Sequence, residues 1–333
     1  MNELNARKYT RETRAWLNKR FDLYDQDGVY IPNQPAYGFN AAAFRLEEYA
    51  RMFAVLKTLN RLPFETLLDV GSADGYGPAL IRHLFGTAVY GTDLSDRALV
   101  RSGEMFKGLG AAADAHQLPF RDQSMDICLC TEVLEHVIDP AVVIKELVRV
   151  ARRFVVLSTP RAQDEAAKKR HFETLDPKEP HAHIHFFTDR DIRVLGGPNS
   201  IYLGARTRMV NSLLNRLAWA DCTSLIQRRS YYDFTLTTTE LGHSAKEAIH
   251  HMLLGKYEHQ AAWKRRVLTP RTTACLLWID AELAVKFPQA ALDHIVIIPV
   301  NTERFQKRRR LSECYILQAL LGGFRVEPFR RQG

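Results

Sequence analysis

Three aspartates stand at the carboxyl ends of short apolar runs: Asp69 in TLLDV (Thr66–Val70), Asp93 in AVYGTD (Ala88–Asp93) and Asp114 in the shorter AAAD (Ala111–Asp114). The first run leads into LDVGSADGYGPAL, a small-residue turn carrying Gly71, Gly75 and Gly77. Glycines at such a turn admit positive φ and a close backbone approach to a ligand. Free amides of the turn and of the helix after it would then donate to an anion. Asp93 lies about 20 residues past the glycines, where a nucleoside ribose would present its two hydroxyls to a carboxylate. One such aspartate could simply cap the following helix. Three at successive strand ends beside a glycine turn point to one ligand crevice.

Histidines supply the other candidate chemistry. His136, in TEVLEHV, is the candidate general base, because imidazole is the side chain best matched to neutral pH. Its bland alternative is a residue that shapes the pocket and moves no proton. In HAHIHFF, His181, His183 and His185 alternate and would share one face of an extended segment. Imidazoles so placed suit a transition metal. No carboxylate or cysteine beside them completes a ligand set, so a wall of an acceptor pocket is expected there, and no metal.

These residues need a scaffold. TLLDV, AVYGTD, MDICLC (Met125–Cys130) and RFVVLSTP (Arg153–Pro160) read as short buried strands, most of them separated by helical stretches such as DPAVVIKELVRVARR. Alternation of this kind predicts an α/β, doubly wound, mostly parallel sheet covered on both faces. The glycine turn predicts a helix from about Tyr76, and Phe44–Leu59 an amphipathic helix. Phe186–Gly197 reads as a capped helix, SIYLGAR as a strand, Met209–Gln289 as a helical insertion, and HIVIIPV (His294–Val300) as a β-branched last strand. Four segments follow: a lid and helical segment over 1–60, an α/β core over 61–207, an acceptor-side cap over 208–290, and a last strand with a basic tail over 291–333. The aromatic stretch Tyr24–Asn40 holds Tyr30, Tyr37 and Phe39, which would cover a ligand or staple the loop to the domain.

The chain has 333 residues, 46% hydrophobic and 25% charged, enough apolar side chain to exclude a largely disordered protein. The 46 basic and 38 acidic residues leave a net charge of +8. That surplus is compatible with acidic ligands, nucleic acid or an anionic membrane and requires none of them. The start, MNELNARKYTRETR, lacks the apolar stretch of a secretory signal, and no run approaches the roughly 20 apolar residues of a membrane span. The five cysteines show no zinc-like spacing, so a reducing cytoplasm is the expected compartment. KRRR (Lys307–Arg310), Arg330 and Arg331 leave peripheral contact with phosphates or anionic lipid open, but no aromatics interleave them as a base-stacking platform would require.

Taken in order, DVGSADGYG, GTDLS, DAHQLPFRDQSMDICLCTEVLEHVIDP and FVVLSTP resemble the class I S-adenosylmethionine-dependent methyltransferases, closest to the ubiquinone-biosynthesis-like type 11 group. The resemblance is strong over Thr66–Pro160 and weaker at HIHFFTDRDI and LLWIDAELAVKFPQAALDHIVIIPV. It implies a Rossmann-like fold with a seven-stranded sheet, an N-terminal helical lid, and S-adenosylmethionine as cofactor. It implies that Asp69, Gly71, Ser72, Ala73 and Gly75 surround the methionine end of that cofactor. Asp93 would hold the ribose, with Leu94 against the adenine. Asp114 would accept from the adenine amino group and Ala115 would touch the ring. Thr131 and Glu132 would lie near the methionine ammonium and the methyl, with Glu132 and His136 as the catalytic candidates. Ala73 departs from the family's usual glycine.

The activity this implies is methyl transfer to a small-molecule or glycan- or lipid-linked acceptor, most naturally at oxygen. An RNA methyltransferase is the rival enzyme; TEVLEH carries neither an Asn/Asp-Pro-Pro-aromatic tetrad nor a Pro-Cys nucleophile. A cofactor-binding scaffold without activity is the rival from another class, kept open by Ala73. The oligomeric state is not legible in the sequence.

Overall fold

In a computed structural model the described residues are 3–23, 30, 46–176, 180–207, 270–301 and 310–322. Helix α1 (Glu3–Arg20) and helix α2 (Leu46–Leu59) precede the first strand. The core then runs β1 (Thr66–Val70), α3 (Tyr76–Phe85), β2 (Ala88–Asp93), α4 (Asp96–Phe106), β3 (Leu109–Ala112), β4 (Met125–Thr131), α5 (Pro140–Val150) and β5 (Ala151–Pro160). After it come α6 (Glu165–Thr174), α7 (Asp189–Gly196), β6 (Ile201–Thr207), α8 (Pro270–Lys286), β7 (Ala291–Pro299) and α9 (Glu313–Gly322).

The seven strands form one sheet in the order β3-β2-β1-β4-β5-β7-β6. All pairings are parallel except those of β7, which runs antiparallel to both β5 and β6. Strand order reverses between β1 and β4, and a crevice outside the carboxyl ends of the strands is expected at such a switch point.

The strands alternate their side chains between two apolar layers, as period-two geometry dictates. Leu67, Ile127, Leu129 and Val156 face the layer of α2, α3, α8 and α9, where Phe53, Leu56, Leu80, Leu277 and Ile316 are buried. Leu68, Val70, Cys128, Cys130 and Leu157 face the other layer, with Val143, Leu147 and Ile192 of α5 and α7. Each such side chain contributes about 1.5–3 kcal/mol relative to exposure.

Two departures from the sequence reading have local causes. β3 ends at Ala112 rather than at Asp114, because its register with β2 stops at Asp93↔Ala112. Its Gly110 lies so close to Gly91 that an added Cβ would sit 1.9 Å from the Gly91 carbonyl oxygen, so the edge pairing is set by two glycines rather than by the alanines. The charged stretch after Pro160, read as a surface loop with helical turns, contains α6, whose first turn is capped by Asp164 accepting from the Ala167 amide at 2.6 Å. Residues 209–269 of the expected insertion, Tyr37, Phe39, Cys222, Lys307, Arg308, Arg309, Arg330 and Arg331 lie outside the described residues.

Candidate active site

The turn after β1 is shaped by backbone bonds. The Gly71 and Ser72 amides both donate to the Thr92 carbonyl, at 2.7 and 3.0 Å, and the Gly75 amide donates to Ser72 O at 3.1 Å. The Ala73 amide donates to Asp93 Oδ2 at 2.9 Å. These four amides, expected to be free for a ligand anion, are therefore bonded within the chain. What the turn offers instead is a wall free of side chains. Gly71 has φ +81° and a Cβ there would stand 2.2 Å from Val133 Cγ2. Ala73 adopts φ +49°, a left-handed conformation that suits the family's glycine better than an alanine. Gly75 caps α3 at φ +89°, and a Cβ would meet Ser102 Oγ at 2.1 Å and its Cα at 3.1 Å. Strain of about 1–2 kcal/mol and overpacking of about 1–3 kcal/mol combine there. Gly75→Ala is expected to cost about 2–4 kcal/mol in urea unfolding, and a loss below about 1 kcal/mol would show that the turn gives way.

A cavity of about 690 Å³ opens above this turn, in the size range of small-ligand sites (about 300–1,000 Å³). Asp69, Gly71, Ala73, Asp93, Leu94, Asp114, Ala115, Thr131, Glu132 and His136, ten of the twelve residues singled out from the sequence, lie on its wall. Ser72 and Gly75 stand behind it. Ser72 is buried, its Oγ unpartnered and directed at the space left by Gly91, whose absent Cβ would lie 2.6 Å away.

The acids differ in setting. Burial pushes the Asp69 carboxyl up to about 7, with the Asp93 charge adding to it, and Asp69 Oδ1 has no hydrogen-bond partner. Burial also pushes Asp93 up, to about 6, against the amides of Ser95 and Ala73, which bond its two oxygens at 2.9 Å each. Asp114 is driven up by burial, but His116 outweighs this and holds it below the ordinary range. The Asp114 Oδ1 accepts from the His116 amide at 3.0 Å and pairs with its Nδ1 at 2.6 Å. The other ring nitrogen, Nε2, accepts from the Asp139 amide at 3.2 Å, which assigns the proton to Nδ1.

The opposite wall is ionic and aromatic. Arg51 on α2 donates to Glu132 Oε2 at 2.7 Å, and the Ser158 hydroxyl donates to Glu132 Oε1 at 3.0 Å. Arg206 grips Asp293 through two bonds of 2.8 and 2.9 Å and reaches Glu47 at 2.6 Å. The buried Glu135 receives the Thr159 hydroxyl on Oε2 at 3.0 Å. His136 Nδ1 lies 3.1 Å from the Ala182 carbonyl, which assigns its proton to Nδ1 and leaves the Nε2 lone pair free. Burial, then His181 and His183, hold its pKa well below the usual imidazole value, so the ring is neutral. The His181 ring stacks on His136 at 3.8 Å and on Trp16 of α1 at 5.1 Å, and His183 meets His136 edge-on at 4.6 Å. Burial pushes His181 and His183 down to about 4. His185 points elsewhere, towards the Ile138 carbonyl and the Phe187 ring.

Helix α1 supplies the roof through Tyr9, Thr13, Trp16 and Arg20. It is anchored to α4 by Asp22, which binds Arg97 and Arg101 at 2.8 Å each. Tyr30, which the sequence left open between lid and staple, is a staple: it is buried, donates to Asp74 Oδ2 at 3.3 Å and lies under the Arg101 guanidinium. Arg51, His116 and Glu135 were not singled out from the sequence. Arg51 sits on the polar stripe of an amphipathic helix, which reads as solvent-facing, while DAH and EVLEH held the other two in plain view.

Sequence comparison points to methyl transfer. Residues 68–157 match the family Methyltransf_11, described as a methyltransferase domain. A norajmaline N-methyltransferase of Rauvolfia serpentina is 29% identical over 134 residues, covering 38% of this chain and 46% of that protein. An uncharacterized methyltransferase of Mycobacterium tuberculosis strain H37Rv is 36% identical over 98 residues, 28% of this chain and 38% of the relative. The chain thus spans less than half the length of these curated relatives. Among solved structures, a Haemonchus contortus phosphoethanolamine N-methyltransferase is similar at 15% identity and TM-score 0.46, covering 79% of this chain and 58% of that one. A Synechocystis magnesium protoporphyrin IX methyltransferase with bound SAM is similar at 20% identity and TM-score 0.40, covering 60% and 88%. The likeness to the type 11 methyltransferase domain is thus carried by residues 68–157.

Proposed function

We propose that this protein transfers a methyl group from S-adenosylmethionine to a small-molecule or glycan- or lipid-linked acceptor, at oxygen, in the cytoplasm. The observation that carries the reading is the meeting of Asp69, Asp93 and Asp114 with the bare Gly71 wall in one cavity. The orphaned, buried Asp69 Oδ1 fits a ligand that brings an ammonium and a sulfonium to this place. S-adenosylmethionine supplies, when bound, a methyl carbon on a cationic sulfur that leaves as a neutral thioether.

In this reading Asp93 receives the ribose hydroxyls on lone pairs not used by the Ala73 and Ser95 amides. The Asp114 oxygen not held by His116 receives the adenine amino group, with Leu94 and Ala115 against the ring. Asp69 and Thr131 meet the methionine ammonium, while Glu132, clamped by Arg51 and Ser158, keeps the acceptor-side wall in place. Alignment is the main contribution of such a site, since good orientation is worth about 7–11 kcal/mol. In this reading the acceptor hydroxyl gives its electron pair to the methyl carbon as the thioether leaves, and loses its proton to the neutral His136 Nε2. The narrow, roofed cavity favours a small or slender acceptor group over a folded RNA. Among the described residues, no helix is long and apolar enough to cross a membrane.

Calorimetric titration with S-adenosylmethionine tests the reading, and no binding at millimolar ligand would overturn it. The acids add a pH signature. Free Asp69 holds its proton up to about 7, and a cationic ligand must displace that proton. Affinity is therefore expected to rise with pH towards 7 and then level, weakening about tenfold per unit as pH falls below it. Asp69→Asn should flatten the profile. A wild-type affinity constant between pH 5.5 and 7.5 would remove Asp69 from the site.

A further inference from the structure

We propose that Glu135, His136 and His183 form a binding site for one divalent transition-metal ion on the acceptor side of the cavity. The three side chains come from the loop after β4 and from the histidine segment nearly fifty residues later. One ligand atom from each lies within 4.8 Å of the other two. An ion bound by nitrogen and oxygen sits about 2.0–2.2 Å from each, so the donors need only draw together to about 3.5 Å.

The surroundings are built for ligation. The Glu135 side chain is 1% exposed, and its Oε1 has no hydrogen-bond partner, while Thr159 holds Oε2. That free oxygen lies 3.9 Å from His136 Nε2. The Nδ1–H of His136 is anchored on the Ala182 carbonyl, which turns the Nε2 lone pair towards Glu135. A ligand imidazole held through its other nitrogen, beside a ligand carboxylate held through its second oxygen, is the usual outer arrangement of a metal site. His181 stacks on the His136 ring at 3.8 Å and is itself backed by Trp16 at 5.1 Å, which fixes the plane of the His136 ring. The His183 backbone is pinned by His171, whose Nε2 lies 2.8 Å from its carbonyl. Arg51, on the wall of the same cavity, is engaged by Glu132.

Two imidazoles and one carboxylate favour zinc or cobalt over magnesium or calcium, and three protein ligands leave a coordination position open. All three residues line the cavity, so that position faces the acceptor. Resting here on the methyl-transfer reading, the inference deepens it: an acceptor oxygen on the ion would be acidified directly. His136 would then act as a ligand rather than as a base. The sequence held the histidines but separated them from the carboxylate that completes the set.

The test uses the full chain stripped with a chelator and dialysed against Zn²⁺, Co²⁺ or Mg²⁺, with elemental analysis and the visible spectrum of the Co²⁺ form. Close to one equivalent of Zn²⁺ or Co²⁺ is expected, with little Mg²⁺ retained. Glu135→Gln and His183→Ala should each weaken Zn²⁺ binding about a hundredfold or more. S-adenosylmethionine titration of the same variants should be unchanged, which shows that they are folded. Wild-type retention below about a tenth of an equivalent, or full-affinity binding in both variants, overturns the site. Metal bound without any S-adenosylmethionine binding would sink the methyl-transfer reading and leave the ion site standing.

Discussion

Replacing Asp93 by alanine is expected to weaken S-adenosylmethionine binding about a hundredfold. Hydrogen bonds to a charged group contribute about 1.5–3 kcal/mol, which corresponds to roughly 10- to 150-fold in affinity. The upper part of that range applies because the carboxylate has a second task. Its oxygens also hold the Ala73 and Ser95 amides, at 2.9 Å each. Alanine at 93 therefore removes the ribose acceptor and releases the turn, whose Ala73 already stands at a positive φ. Asp93→Asn keeps one acceptor oxygen and should fall between the two. Isothermal titration of the three proteins reads both effects, and an alanine variant within threefold of wild type would show that the nucleoside lies elsewhere.

The largest stability effect is expected at Asp126, which is fully buried at the start of β4. One oxygen accepts the amides of Glu65 and Thr66 at 2.8 and 3.2 Å, clipping the entry of β1 to its neighbour. The other accepts Arg152 at 2.6 and 2.9 Å and lies 3.1 Å from Arg153. Deleting the buried acceptor of such a network costs about 3–5 kcal/mol, since two backbone amides and the Arg152 guanidinium lose their bonds to it at once. Asp126→Ala should lower the urea midpoint accordingly, and should do so without altering the ligand-binding residues themselves. A loss under about 1 kcal/mol would mean that water or a rotated arginine replaces the clip.

The scaffold was legible because strands and helices leave their own periods in the chain. Residues 66–70 and 88–93 were read with their observed bounds, and the glycine turn marked the start of α3. The cavity wall was legible too, because acids at strand ends fall on one side of a parallel sheet whatever the loops do. What escaped depends on partners far away in sequence. The turn amides look free until β2 places the Thr92 carbonyl beneath them. Glu135 looks like an ordinary helix-start acid until residues 181–183 return across the end of β4. Arg51 looks solvated until Glu132 closes on it. Tyr30 carried no signal that would separate a lid from a staple.

The position of β7 has a consequence for how the protein is made. Among the described residues β6 pairs with no strand other than β7, and β7 separates it from β5. As the nascent chain leaves the ribosome, β1 to β5 can pair as they emerge, but β6 emerges long before the strand that will hold it. Arg206, at the end of that waiting strand, meets Asp293 only when β7 arrives. The Arg206–Asp293 pair at the cavity is thus made only after the strands up to β5 are available to pair.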